Sequence, residues 1–480
     1  MCKIADSSKD LKIILSGAVS ISDGGNIVIT DEKTIRDRVI DDLIYTAVFS
    51  EDGGVREQSK ILIRDIANEL SAVPSSIHDL YMAMGRGKTH DFTTPAMNIR
   101  GLTYDIARRI FRVAMEKKVG AFIFEIARSE IGYTYQRPSE YASCVLAAAV
   151  KEGFRGPVFI QGDHFQFSAS KYKESPEKEL EGIQEITKEA VEAGFYNIDI
   201  DPSTLVDYSM ESLLDQQKEN YLNTARMTGF IRALEPDGIT VSIGAEIGHI
   251  GGKNSTPEEA KAFMEGYRKT LGEMGKDTLT GISKISVQTG TAHGGVPLPD
   301  GSIAEVKLDF GVLNSIGELV RREYGLSGTV QHGASTLPDE LFDRFPENNC
   351  SEIHLATGFQ NIMYDLAPEE LREKIYSFIK DNFGGEWKEG QTQQQFLYKA
   401  RKKGLGPFKK DWWMLDRHHK DRILDALEEK FSFLFNKLNV PDTARYTGEY
   451  IKPVKTPYSG SGVSPEQVDV RKLKLEEGAD

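Results

Sequence analysis

The side chains best suited to metal and proton chemistry in this sequence are Asp163, His164, Glu246, His293 and His332. Three imidazoles brought to one place bind Zn²⁺ at about 2.0–2.1 Å and leave a coordination position open for substrate. A carboxylate directly before a ligand, as Asp163 stands before His164, is placed to move a proton or to orient that ligand. Taken singly, each histidine is equally well read as a hydrogen-bonded strand-end residue; three at convergent positions point to a metal site. His249 and His354 are further imidazoles with a charge change near neutral pH, readable as a general base or as supporting residues. Glycine turns flank two of the histidines, GTAHGG at 290–295 and HGAS at 332–335. Such turns let backbone amides approach an anion or simply close a tight connection. Ser335 and Thr357 offer hydroxyl donors beside them.

Positioning these residues requires particular elements. Short, nearly continuous apolar runs occur at 93–100, 121–127, 157–163, 195–201, 240–248, 284–290, 328–333 and 351–357. Runs of this kind suit parallel strands buried on both faces. Amphipathic stretches lie between them, including 101–120, the segment after Pro138 and 257–275. The last opens with a proline and two acids, which favours a helix start. Eight β–α repeats predict an α/β fold of the closed (β/α)₈, or TIM, barrel type over residues 93–385. Asp163, His164, Glu246, His293 and His332 then fall at or just after C-terminal strand ends, the face where this architecture builds active sites. Residues 1–92 form an N-terminal extension, and 386–480 a helical C-terminal extension whose tail past Thr456 reads as flexible.

Composition excludes several classes. The chain carries 59 basic and 73 acidic residues, a net charge of −14, with no basic tract. Nucleic acid is therefore not an expected partner, because neutralising phosphates needs clustered Lys and Arg. Cys2, Cys144 and Cys350 are widely spaced, so neither a disulfide framework nor a thiolate metal site is indicated. No apolar run reaches about 18 residues and no leader pattern opens the chain, so a cytoplasmic location without membrane partners is expected. GRGKT at 85–89 lacks the first glycine of a P-loop, since position 82 is Met.

The segments FTTPAMNIRG, QGDHFQF, GAEIGHIGG, GTAHGG with KLDF, and QHGASTLPDELF, spread in order over about residues 92–365, resemble the class II, metal-dependent fructose- and ketose-bisphosphate aldolases. The resemblance implies a homodimeric or homotetrameric barrel that cleaves or forms a C–C bond of a phosphorylated ketose through an enediolate. It implies that His164, His293 and His332 hold zinc or another divalent cation and that Asp163 is the acid/base for the hydroxyl at the breaking bond. Gly294, Gly333, Ser335 and Thr357 match phosphate-binding positions, and Asn98 matches an Asn at the end of strand one. The stretch FEIARSEIGYT at 124–134 is also similar to the barrel subunit that accompanies tagatose-bisphosphate aldolase, and Ser129 there matches a phosphate-site Ser.

The sequence also departs from that pattern. Lys253 and Asn254 stand where the family carries loop acids, and Glu258 and Glu259 read as the first turn of the next helix. His354 and Ala356 replace an Asn and an Asp that usually end strand eight. Two alternatives to an aldolase follow: a metal-dependent isomerase, epimerase or other lyase on a sugar phosphate, or a non-catalytic barrel subunit of an aldolase complex.

Overall fold

Eight short apolar segments become parallel strands: β1 (Thr94–Asn98), β2 (Ile123–Ala127), β3 (Gly156–Gln166), β4 (Asn197–Asp201), β5 (Ser242–Glu246), β6 (Lys284–Ser286), β7 (Thr329–Gln331) and β8 (Cys350–Leu355). Each pairs with the next, and β8 pairs with β1 from Glu352↔Thr94 to Leu355↔Met97. The barrel is therefore closed, as the eightfold alternation predicts. The computed structural model describes residues 2–22, 27–248, 253–276, 278–290, 308–335 and 337–460. His249, His293 and Gly294, singled out in the sequence, lie outside the described residues.

Local sequence explains the surrounding helices. Pro138–Glu152 and Pro176–Ala193 each begin with proline, whose missing N–H would be unpaired there anyway. Pro257–Glu273 adds a capping box: Thr256 Oγ1 accepts from the Glu259 amide at 3.2 Å, and Glu259 Oε2 accepts from the Thr256 amide at 2.9 Å. Glu259 also pairs with Lys253 at 2.7 Å. Its role is thus structural, in the first turn of that helix.

The segments outside the strand–helix repeats pack onto the barrel. Ala72–Ser75 pairs with Gly156–Phe159 of β3, along the edge that β4 occupies further up at Gln161–Gln166. Asn197 joins the two: its side-chain oxygen accepts from the Ile77 amide at 2.9 Å, and its nitrogen donates to the Ser75 and Ile160 carbonyls. The helix His78–Gly85 then sends the buried Tyr81 hydroxyl to Glu352 in β8, closing the N-terminal end of the barrel. From the other terminus, Trp413 packs against Tyr45, Phe49 and Tyr104 at centroid distances of 5.2, 5.3 and 6.2 Å, and its indole donates to the Gly101 carbonyl at 2.8 Å. Gly120 is required by close approach, since a Cβ there would lie 2.3 Å from Thr447 Oγ1 and 2.7 Å from Ala444 Cα. Past Thr456, Tyr458 is still buried and donates to Glu57, so the chain is held down as far as this residue.

Candidate functional site

The site begins with a bulge. Between Gly162↔Ile198 and Phe165↔Ile200 the register of β3 gains one residue over β4, and His164 adopts φ +40°. In a regular strand consecutive side chains point to opposite faces; an inserted residue re-aims them. Asp163 and His164 are consequently both buried and both contribute to one cluster.

His164 Nδ1 lies 2.8 Å from Glu246 Oε1 at the end of β5 and 3.2 Å from Asp201 Oδ2 at the end of β4. His332, one residue past β7, places Nε2 3.3 Å from the same Glu246 oxygen and 3.0 Å from Ser286 Oγ. The rings of His164 and His332 are 3.9 Å apart. Ligand atoms of Asp163, His164 and His332 lie within 4.8 Å of one another, as do those of His164, Asp201 and Glu246. Burial and the neighbouring Asp201 charge push the Glu246 carboxyl up to about 7, against the pull of His164. For His164, burial disfavours the charged ring, but Glu246 and Asp163 outweigh it and raise its pKa well above the ordinary range.

A second layer lies beside the first. His354 Nδ1 is 2.9 Å from Asp163 Oδ1 and 3.1 Å from Glu125 Oε2; its Nε2 is 2.6 Å from Glu352 Oε1. Glu352 also accepts from Lys284, from Tyr81 and from Gln161 at 2.9 Å. Burial would raise the Glu352 carboxyl, yet Lys284 and His354 hold it well below the carboxylate range.

The remaining sequence candidates take distinct places. Asn98 donates to Glu130 Oε2 at 2.6 Å and accepts from Arg100 Nε at 2.9 Å, so both ends of its amide are engaged. Ser129 Oγ is buried near the start of the helix Arg128–Tyr133 without a hydrogen-bond partner among the described residues. Gly333 has φ +67°, a left-handed turn that favours glycine. Ser335 Oγ accepts from the Ala356 amide at 2.5 Å, and Thr357 opens the helix Thr357–Leu366. The turn after β7 and the helix start after β8 therefore adjoin, with Gly358 packed against the Ser335 carbonyl.

Glu125, Glu352, Lys284 and Gln161 were not evident as site residues in the sequence. Their signal is a polar residue inside an otherwise apolar strand, and the two-residue spacing of Glu352 and His354, which puts both on one face.

Residues 80–406 match the family described as fructose-bisphosphate aldolase class-II. The match covers more than half of the chain, and the protein belongs to this family. Its structure is similar to a probable tagatose 6 phosphate kinase from Sinorhizobium meliloti 1021, at 14% identity and TM-score 0.53 over 74% of this chain and 100% of that one. It is also similar to the fructuronate-tagaturonate epimerase UxaE from Cohnella laeviribosi, at 9% identity and TM-score 0.50 over 73% and 82% of the two chains. At such identities the likeness shows the shared barrel fold. Among the described residues no helix is long and apolar enough to cross a membrane.

Proposed function

We propose that this protein is a zinc-dependent, or otherwise divalent-metal-dependent, lyase that cleaves or forms a C–C bond of a phosphorylated ketose. The observation that carries this reading is the convergence of His164, His332 and Glu246 at three strand ends, with Asp163 beside them. Two imidazoles and carboxylate oxygens, all buried, form a donor set that suits zinc or a similar borderline cation. His164, His332 and Glu246 would hold the ion, with His293 as the third imidazole. Bound there, a divalent cation supplies Lewis acidity toward a substrate carbonyl.

The protein's own residues do the rest. Asp163, held by His354 at 2.9 Å, takes the hydroxyl proton as the bond breaks and returns it in the reverse direction. The Gly333 turn, Ser335 and the first turn of Thr357–Leu366 supply amide and hydroxyl donors for a phosphate, as helix starts do for anions. In this reading Asn98, at the end of β1, and Ser129, in the helix after β2, contribute further polar contacts to the same substrate. The protein acts as a homodimer or homotetramer in this reading.

Metal analysis with a panel of ketose mono- and bisphosphates tests it. The wild type is expected to carry tightly bound divalent metal and to release triose products. His164→Asn and His332→Asn are each expected to lose the ion and at least about 100-fold in turnover, the scale of losing a main catalytic group. A metal-loaded protein that inverts a sugar centre but cleaves no ketose phosphate would make it an epimerase instead. Activity only after addition of a partner chain would make it an accessory subunit.

A further inference from the structure

Asp163 belongs to two sets of donor atoms. It lies with His164 and His332 on one side and with Glu125 and His354 on the other, each set within 4.8 Å. The second set has its own supporting carboxylate. Glu352 accepts from Lys284, Gln161 and Tyr81, so it faces His354 Nε2 as an acceptor and takes the ring proton there. His354 Nδ1 is left facing Asp163 Oδ1 at 2.9 Å and Glu125 Oε2 at 3.1 Å. An outer carboxylate orienting an imidazole whose other nitrogen meets further donors is the arrangement of histidine ligands in metal sites. The donor atoms of Glu125, Asp163 and His354 all lie within 4.8 Å of one another, close enough for one cation to meet all three.

Two further observations point the same way. Glu125 is fully buried, and its Oε1 accepts no hydrogen bond among the described residues. A buried carboxylate oxygen costs free energy unless a cation or a proton meets it. Acidic side chains also outnumber basic ones in this cluster among the described residues. Glu125, Asp163, Asp199, Asp201, Glu246 and Glu352 are all buried in the barrel, together with Lys284, His164, His332 and His354.

We propose a second divalent-cation site formed by Glu125, Asp163 and His354, with Asp163 shared between it and the ion at His164 and His332. Two oxygens and one imidazole nitrogen suit Mn²⁺, Fe²⁺ or Zn²⁺. The inference rests on the proposed function only for the first ion. Sharing Asp163 places two ions within about 4 Å, the spacing of two-metal centres.

Metal stoichiometry and Mn²⁺ paramagnetic resonance on the full chain test the proposal. Equilibrium dialysis against Mn²⁺ or Zn²⁺ is expected to give two equivalents for the wild type. It should give one for Glu125→Gln, and one for the His164→Asn/His332→Asn double variant. The Mn²⁺-loaded wild type should show an exchange-coupled spectrum that collapses to an isolated six-line signal in Glu125→Gln. One equivalent in the wild type with an isolated signal would overturn the second site and leave the first standing, His354 then being a protonated bridge. No tight metal at all would overturn both. Should Glu125→Gln fail to fold, the wild-type count and spectrum decide alone.

Discussion

At the scale of single residues, Asp163 is the test of the chemistry. It touches His354 rather than sitting exposed at the mouth, and it lies 3.7 Å from His164 Nε2. Asp163→Asn keeps the shape and removes the proton acceptor. Turnover of the cleaved ketose phosphate is expected to fall by about 10²–10⁴-fold while the ion at His164 and His332 is retained, measured by steady-state kinetics alongside metal content. Loss of that ion together with activity would instead assign the fall to the missing metal and not to the missing proton acceptor. The sequence offered Asp163 and His164 together because they are neighbours. It could not show that both point inward, since a regular strand would separate them; the bulge at His164 decides it. Likewise His354 was legible as an extra imidazole, but its placement between Asp163 and Glu352 depends on β3 and β8 lying across the barrel from each other.

At the scale of elements, the helix His78–Gly85 shows how a segment before the first barrel strand becomes part of the barrel. Its Tyr81 reaches Glu352, and its first residue, His78, is buried with Nδ1 unpartnered among the described residues. Burial, with Arg232 and Arg86 nearby, pulls the His78 pKa down to about 4. The unfolded chain binds this proton near pH 6.5 and the folded protein only near pH 4, so folded stability falls as pH drops through that window. The full effect is up to about 3 kcal/mol. Urea unfolding between pH 7 and pH 4.5 is expected to show this decline, and His78→Gln should flatten part of it. An unchanged slope in the variant would assign the acid sensitivity to other groups. The strands themselves were legible as runs of buried apolar residues, and the helices as proline-started amphipathic segments. Their ends were less so: β6 stops at Ser286, while the apolar run continues to 290. Pairing with β5 and β7, rather than composition, sets where the ladder ends.

At the scale of the whole molecule, both termini are tied to the barrel through one aromatic cluster. Trp413 is buried against Tyr45 and Phe49 from the N-terminal region and Tyr104 from a barrel helix. Arg109 adds ion pairs to Asp425 at 3.0 Å and to Glu428 across to the helix Arg417–Lys437. Trp413→Ala is expected to lower stability by about 3–5 kcal/mol, the scale of removing a large buried side chain. Calorimetry should show one shifted transition rather than separate melting of the terminal segments. Two resolved transitions would show that the extensions fold apart from the barrel.

The sequence by itself determined the barrel, because eight buried parallel strands leave a periodic apolar signature that needs no distant partner to be read. It also determined the candidate ligands, because few residue types bind a cation and these recur at strand ends within ordered motifs. Tertiary structure alone decided which acids surround them. Glu125, Lys284 and Glu352 are far apart in the chain and each looks like a polar residue within an apolar run. Only closure of the barrel brings them inward to meet, where low dielectric makes every charge demand a partner.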